Sequence, residues 1–402
     1  MIVKGEIMKI KKISIKNFLS IIFFSIVFFA LIKPDSLEYL GFTWLANLLI
    51  CLDGFLMIFL FFMFIANKYK ISKMSILIIC YFLIGFLSTL LHSNDLFSFI
   101  KVAGPGIAIC LLTDYLIQKN KIIYFKSIYT TLGIAYFLNF ITILKYYPVG
   151  MYQMDKVSGD LYLMGYDNGM IYNLLPLCGI SLILSYIKTG KLISKVSLFA
   201  ILLTVISEFF VDSASGIVEI TLFLIFSICR NNFLLKKIMR PYFVFLNYFI
   251  FSLGINVFRI QNLFKYLIVD VLKKDLTFTN RTYLWDYALN IIKSKPIFGI
   301  GYGEHNIYGI FSRSYSHPHS MMLDIMVKGG VILLISFIFI LFHFSDCYKR
   351  SSNFIIKNIV LSVIAVFLIG EIVNSVQYKV FFWSFFVLIE YCDLIKFESG
   401  VK

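Results

Sequence analysis

Residues 74–91 read MSILIICYFLIGFLSTLL, with Lys73 before them and His92 after, and no charged side chain lies between. The apolar positions run continuously and do not alternate with the period of two that a membrane barrel strand requires. A stretch of this kind approaches the roughly 20 apolar residues that carry a helix across a bilayer. Helices cross because they satisfy their own backbone polar groups where no water can. The same pattern recurs along the chain, and spans are expected near 18–32, 44–66, 74–91, 99–117, 127–144, 168–187, 194–211, 215–229, 241–256, 320–342, 358–376 and 379–395. The pair 194–211 and 215–229 is short and meets at the polar sequence Asp212-Ser213-Ala214-Ser215-Gly216. Composition agrees: the 402 residues are 60% hydrophobic and 15% charged, with a mean hydropathy of +0.87, against about 25% charged in soluble domains. The expected fold class is all-α, a polytopic membrane helix bundle of about 12 spans.

The net charge of +15 does not point to nucleic acid, because the basic residues punctuate the apolar runs and form no single face. The two terminal ends and alternate loops gather 23 of the 37 Lys and Arg residues, while the intervening short loops hold mainly Lys33, Lys101, Lys145, Lys156 and Lys379. The positive-inside rule then places both termini in the cytoplasm. The N-terminal end resembles a signal peptide (Lys9, Lys11, Lys12 and Lys16 before Phe18 to Ile32), but no small-residue cleavage site follows, so a retained first span is expected. The seven cysteines are scattered singly and read as packing residues.

The stretch 257–319 breaks the pattern, since it carries Arg259, Lys265, Lys273, Lys274, Arg281, Lys293, Lys295 and Arg313 on the expected outer side. Long loops translocate despite their charge, and basic residues gathered there suggest that the loop meets an anion. The chain accordingly divides into spans one to nine (1–256), a large extracytoplasmic loop (257–319) and spans ten to twelve (320–402). Within the loop, Ile260, Leu263, Phe264, Leu267, Ile268, Val271 and Leu272 recur at helical spacing, as on a helix lying in the membrane interface. A second helix is expected from about Arg281 to Lys293, with Thr279 or Asn280 as N-cap, ending before Pro296 and the turn Gly299-Ile300-Gly301-Tyr302-Gly303. A second outer segment, 145–167, is polar and aromatic without helical period.

The densest cluster of chemistry-bearing residues is Ser316-His317-Pro318-His319-Ser320. It reads as a helix entry, with His319 in the first turn, where the positive end of the helix dipole disfavours imidazolium. A neutral imidazole there suits a general base for a hydroxyl nucleophile; alternatively, both histidines merely hydrogen-bond in a polar loop. A zinc reading through His305, His317 and His319 has no obvious carboxylate partner, and no metal is expected. Arg281 opens a helix and offers a bidentate fork to phosphate, or it snorkels to lipid headgroups. The glycines at 299, 301 and 303 follow a helix and not a strand, so they indicate a tight turn and no dinucleotide site. Asp53, Asp114, Glu208, Glu219, Asp324, Lys328, Glu371, Glu390 and Asp393 lie in or near apolar runs. Asp324 and Lys328 stand one turn apart and neutralise one another most simply; a proton relay through the other carboxylates is the transport reading.

The run Asn280-Arg281-Thr282-Tyr283-Leu284-Trp285-Asp286-Tyr287-Ala288, followed by Pro296-Ile297-Phe298-Gly299-Ile300-Gly301-Tyr302-Gly303, resembles the O-antigen ligase/Wzy polymerase superfamily. Its members show an Arg-x-x-x-Trp-x-x-Ala helix, a Pro-x-x-Gly-x-Gly turn and a His heading a Gly-containing span, here His319 ahead of Gly329-Gly330. The superfamily also shares about a dozen spans with a large outer loop between the ninth and tenth. The resemblance implies a GT-C-like, metal-independent glycosyltransferase without cofactor, acting on glycans linked to undecaprenyl pyrophosphate. Arg281 would hold the donor pyrophosphate and His319 would deprotonate or orient the acceptor hydroxyl. His317, Trp285 and Arg313 are candidate acceptor or supporting residues. Three positions depart from the pattern: Ser320 stands where Asn is usual, Lys328 where Glu is common, and Ser213-Ala214 or Ser215-Gly216 where a Ser-Arg pair is usual. Arg259, Lys145 and Lys156 are candidates for the second phosphate-binding cation, and Arg259 is the one expected beside Arg281 at the pyrophosphate.

The expected function is polymerisation of lipid-linked repeat units in the bacterial cytoplasmic membrane. The implied partners are donor and acceptor glycans, membrane lipid, a chain-length regulator and a flippase. The alternatives are an O-antigen ligase, which shares these motifs, and a lipid-linked oligosaccharide flippase or other transporter.

Overall fold

The computed structural model describes residues 2–34, 36–67, 69–153, 160–266, 270, 280–303, 307–308, 314–375 and 377–397. The protein is an all-α polytopic membrane protein. Among the described residues, six helices are long and apolar enough to cross a bilayer, within Ile15–Ile32, Thr43–Ala66, Lys73–Leu91, Leu96–Tyr146, Asp167–Thr189 and Met321–Arg350. Shorter apolar helices are Ala214–Ile228, Pro241–Asn256 and Phe354–Gly370. Large apolar side chains such as Phe55, Phe62 and Phe209 are exposed, as a surface solvated by lipid requires.

The chain forms two compact units. The first comprises 1–69, 112–217 and 394–402. Its helix Ile171–Thr189 is buried along nearly its whole length and packs on Lys195–Phe210. Gly190 ends the former in the left-handed conformation (φ 70°), as helix stops commonly require. The long Leu96–Tyr146 helix is interrupted at Asn120 (φ −163°, ψ 94°). There the Asn120 Oδ1 accepts from the N–H groups of Ile122 and Ile123 at 3.1 and 3.2 Å, the geometry of an N-cap. The interruption explains why two spans are legible within this one helix. The polar segment after Tyr146 folds into three short antiparallel strands, Tyr152–Gln153, Asp160–Tyr162 and Gly165–Tyr166, with Gln153 opposite Asp160 and Leu161 opposite Tyr166.

The second unit comprises 70–111 and 218–393. Lys73–Leu91 packs along Met321–Arg350, which also contacts Pro241–Asn256 and Arg281–Ser294. Tyr81, Phe82, Phe337, Trp383 and Phe386 interlock edge-on or tilted in its core.

Several expectations are corrected. The span expected over 358–376 ends as a helix at Gly370; Glu371, Ser375 and Gln377 are buried ahead of Val380–Leu388 and a 3-10 helix over Ile389–Leu394. Where an interfacial helix was expected from 260, the chain forms a 3-10 helix over Ile260–Phe264 after Arg259 at φ 54°. Leu267, Ile268, Val271 and Leu272 of that stripe lie outside the described residues. The helix entry expected at Ser316 to Pro318 lies further on: the helix begins at Met321, so His319 precedes it instead of occupying its first turn.

Candidate active site

The site is built on a broken helix. Gly330 takes φ 61°, ψ −158° inside Met321–Arg350, separating a half-helix of 321–329 from the longer remainder. Across such a break, carbonyls and N–H groups lose their partners four residues away. The turn after Pro296 replaces them. Ile300 and Gly301 donate to the carbonyls of Val327 and Lys328 at 2.7 and 3.0 Å, while Val331 and Ile332 donate to Pro296 and Ile297 at 2.8 and 3.4 Å. Such close backbone approach excludes side chains: a methyl group on Gly299 would overlap the Val327 carbonyl, and one on Gly330 the Ile297 carbonyl. The turn is held from the other side by the end of Lys73–Leu91. Ser88 Oγ donates to Phe298 O, Tyr302 N–H donates to Thr89 Oγ1 at 3.0 Å, and Asn94 Nδ2 donates to Ile300 O at 3.1 Å.

The helix Arg281–Ser294 buries Leu284, Trp285 and Ala288 against Met322, Leu323 and Val327 of the half-helix. The Trp and Ala of the motif are therefore packing residues that fix the angle at which the helix presents its first residue, Arg281. Asn280 occupies the N-cap position, as expected, but in the left-handed conformation and without a side-chain capping bond. Arg281 Nη1 donates to Val373 O. Arg259 lies over the Trp285 ring, 4.9 Å from its centroid. It donates to Asn256 O at 2.6 Å and Thr282 O at 3.1 Å, and pairs with Asp286 at 2.6 Å. These contacts bind Arg259 into the scaffold beside the helix entry. Arg313 and His305 lie outside the described residues.

His319 stands two residues before the half-helix, with φ 52°. Its N–H donates to His317 Nδ1 at 3.2 Å, and the two rings meet edge-on at 4.5 Å. His317 also lies 5.2 Å from the Tyr378 ring. Burial, then the charges of Lys328, Arg281 and Lys379, pushes the His317 imidazole down to about 3. Burial, then His317 and Arg281, holds His319 well below the usual imidazole range, against a hydrogen bond with Asn374 and the charge of Asp324. Both rings are thus neutral near pH 7. Among the described residues, the buried Nδ1 of His319 has no hydrogen-bond partner. Such a nitrogen fits a base awaiting a hydroxyl proton.

Below the histidines, Asp324 and Lys328 are buried and paired at 3.0 Å, as their spacing predicts. Asp324 also accepts from Ser375 Oγ at 2.9 Å, from Gln377 Nε2 and from Tyr378 OH at 2.6 Å. Lys328 lies 4.8 and 4.3 Å from the ring centroids of Tyr302 and Tyr378. Gln377 is anchored in turn by Tyr81 OH at 2.6 Å and, through its carbonyl, by Trp383 Nε1 at 2.9 Å. The Ser320 Oγ accepts from Asn256 Nδ2.

Sequence reasoning located His317, His319, Arg281 and the ion pair. It missed Asn374, Ser375, Gln377, Tyr378 and Asn256. The signal was the set Glu371, Asn374, Ser375, Gln377 and Tyr378, polar residues that interrupt the apolar stretches on either side.

Residues 169–338 match the family model described as O-Antigen ligase. Exopolysaccharide production protein ExoQ of Rhizobium meliloti (strain 1021) is 33% identical over 81 residues, covering 17% of this chain and 19% of that protein. No solved structure matches. Members of the family are glycosyltransferase-like enzymes of polysaccharide biosynthesis. The similarity to the O-antigen ligase family covers the segment 169–338, which contains the Arg281 helix, the glycine turn, His319 and the break at Gly330.

Proposed function

We propose that the protein is a Wzy-type polymerase that transfers a growing glycan from undecaprenyl pyrophosphate onto an incoming lipid-linked repeat unit. The observation that carries this reading is the neutral His319, its Nδ1 unpartnered among the described residues and its ring within the field of Arg281. The acceptor hydroxyl oxygen attacks the donor's anomeric carbon as its proton passes to His319. The bond from that carbon to the pyrophosphate oxygen breaks, and the electron pair leaves with undecaprenyl pyrophosphate. Attack opposite the leaving group inverts the anomeric centre. Arg281, at a helix N-terminus, stabilises the charge that develops on the pyrophosphate. Arg259 and Arg313 are the candidates for a second phosphate contact, Arg313 by its charge in the loop. His317 and Trp285 support the base and the guanidinium. The reaction needs no metal or cofactor in this reading. It takes place on the outer face of the cytoplasmic membrane, with both chain termini inside, and a flippase and a chain-length regulator as functional partners.

The description of the matching family favours a second reading, a ligase that moves the finished glycan to lipid A core or another acceptor. The name of the exopolysaccharide relative favours polymer formation. Glycan profiling of a deletion strain carrying wild type, His319→Ala or Arg281→Ala at matched membrane levels separates them. Single lipid-linked repeats in both variants, with a ladder restored by wild type, support the polymerase. Long lipid-linked chains that never reach their acceptor identify a ligase. Normal polymer in both variants would sink the site assignment and favour a transporter.

A further inference from the structure

Far along the Met321–Arg350 helix from the His319 end, a second cluster of ligating side chains is buried. His343 and Cys347 are separated by one helical turn and so project from one face. Glu390, from the 3-10 helix Ile389–Leu394, closes on them. His343 Nε2 lies 2.7 Å from Glu390 Oε1 and 3.5 Å from Cys347 Sγ. One ligand atom from each of the three lies within 4.8 Å of the others. Met74 N–H donates to the same Glu390 oxygen at 2.6 Å, and Arg350 Nη2 approaches Cys347 Sγ at 3.4 Å. Among the described residues this is the one group of three or more His, Cys, Asp or Glu side chains gathered so closely.

A thiolate, an imidazole and a carboxylate form a zinc donor set, with bonds of about 2.3 Å to sulfur and about 2.0–2.2 Å to nitrogen and oxygen. Tetrahedral angles then separate the donor atoms by roughly 3.3–3.6 Å. The Sγ to Nε2 distance of 3.5 Å already meets this. The His343 to Glu390 contact of 2.7 Å must open by only about half an ångström, within reach of a carboxylate rotation. Met74 N–H fixes the carboxylate in the way outer-shell donors orient metal ligands. One divalent ion would also cancel the two negative charges of Cys347 and Glu390, which lowers the cost of burying them at a helix end. We propose that His343, Cys347 and Glu390 bind one Zn²⁺, with water in the fourth position on the part-exposed Glu390 side. His343 lies on the longer remainder of the helix, roughly 20 Å of helical rise beyond the break at Gly330, so the ion clamps the two helical segments together and takes no part in glycosyl transfer.

The test is metal analysis of the full-length protein purified in detergent without chelator, followed by cobalt titration of the metal-stripped sample. One zinc per chain is expected, together with a thiolate-to-cobalt charge-transfer band that disappears in Cys347→Ser and His343→Ala and weakens in Glu390→Gln. Chelation should lower the Tm of wild type and leave that of Cys347→Ser unchanged, because a ligand stabilises only the state that binds it. His319→Ala should keep the zinc and the band. A monodisperse wild-type protein that holds no zinc above background and gives no thiolate band overturns the proposal, and shows instead a metal-free hydrogen-bonded staple. This measurement needs no variant, so a variant that fails to fold does not obscure the result.

Discussion

Two imidazoles held neutral by their surroundings make the histidine pair sensitive to acid. An unfolded chain protonates its histidines near 6.5, whereas the folded His317 resists down to about 3. Below pH 6.5 the unfolded state therefore binds more protons, and stability falls as pH drops through this window. Above 6.5 both states are neutral and the pair contributes nothing. Thermal unfolding should be flat in this respect from pH 8 to about 6.5 and then decline, and His317→Gln should flatten the acid limb. Turnover should show no inflection near 6.5 from His319, which a pH profile in a reconstituted assay would detect. The buried ion pair gives a second prediction. Lys328→Met leaves the Asp324 carboxylate uncompensated and should cost about 3–5 kcal/mol, read as a lower Tm. Asp324→Asn combined with Lys328→Met should recover most of it. The pair was legible because its spacing is a helical turn. The donors to Asp324 from 375–378 were not, because contacts across some fifty residues of chain leave no periodic trace. Arg259 shows the complementary limit: its charge is visible in sequence, but its engagement with Asn256, Thr282 and Asp286 is not.

Among the elements, the long apolar helices follow directly from composition, while their interruptions depend on single residues. Asn120 starts a new helix inside Leu96–Tyr146 with its side chain, so Asn120→Ala should destabilise the protein by about 1 kcal/mol. At Gly330 the constraint is both conformational and steric, since φ is positive and an added methyl group meets a carbonyl. Gly330→Ala should lower stability by more than the about 1–3 kcal/mol of a strained backbone alone and abolish polymer formation. Gly301→Ala should act similarly, because its added carbon would lie 2.6 Å from Thr89 Cα. Thermal unfolding and glycan profiling of the same samples check both. The glycines were legible as a turn before the span, and Gly329-Gly330 as part of it. Their union was not legible, because a hydrogen-bonded splice between 296–301 and 327–332 has no signature in either segment alone.

For the whole molecule, the alternation of basic loops predicts a topology that reporter fusions can test. A phosphatase that works only outside the cytoplasm should be active when fused after Asn94 and inactive when fused after Gly190. The reverse pattern would invert the proposed placement of the site. The all-α, membrane-spanning character was readable from hydropathy, and the motif singled out Arg281 and His319 for test. The assembly of 70–111 with 218–393 was not readable, because apolar faces buried against protein and against lipid are equally hydrophobic. The splice at Gly330 also bears on the span that carries it. Val327, Lys328, Val331 and Ile332 direct backbone groups to residues 296–301, and each such group left bare in hydrocarbon costs several kcal/mol. The helix after His319 is long and apolar enough to cross a bilayer, but its backbone is left unsatisfied at the break. Docking of the turn 296–301 supplies partners to these groups, so the segment before the span completes the span's own hydrogen bonding.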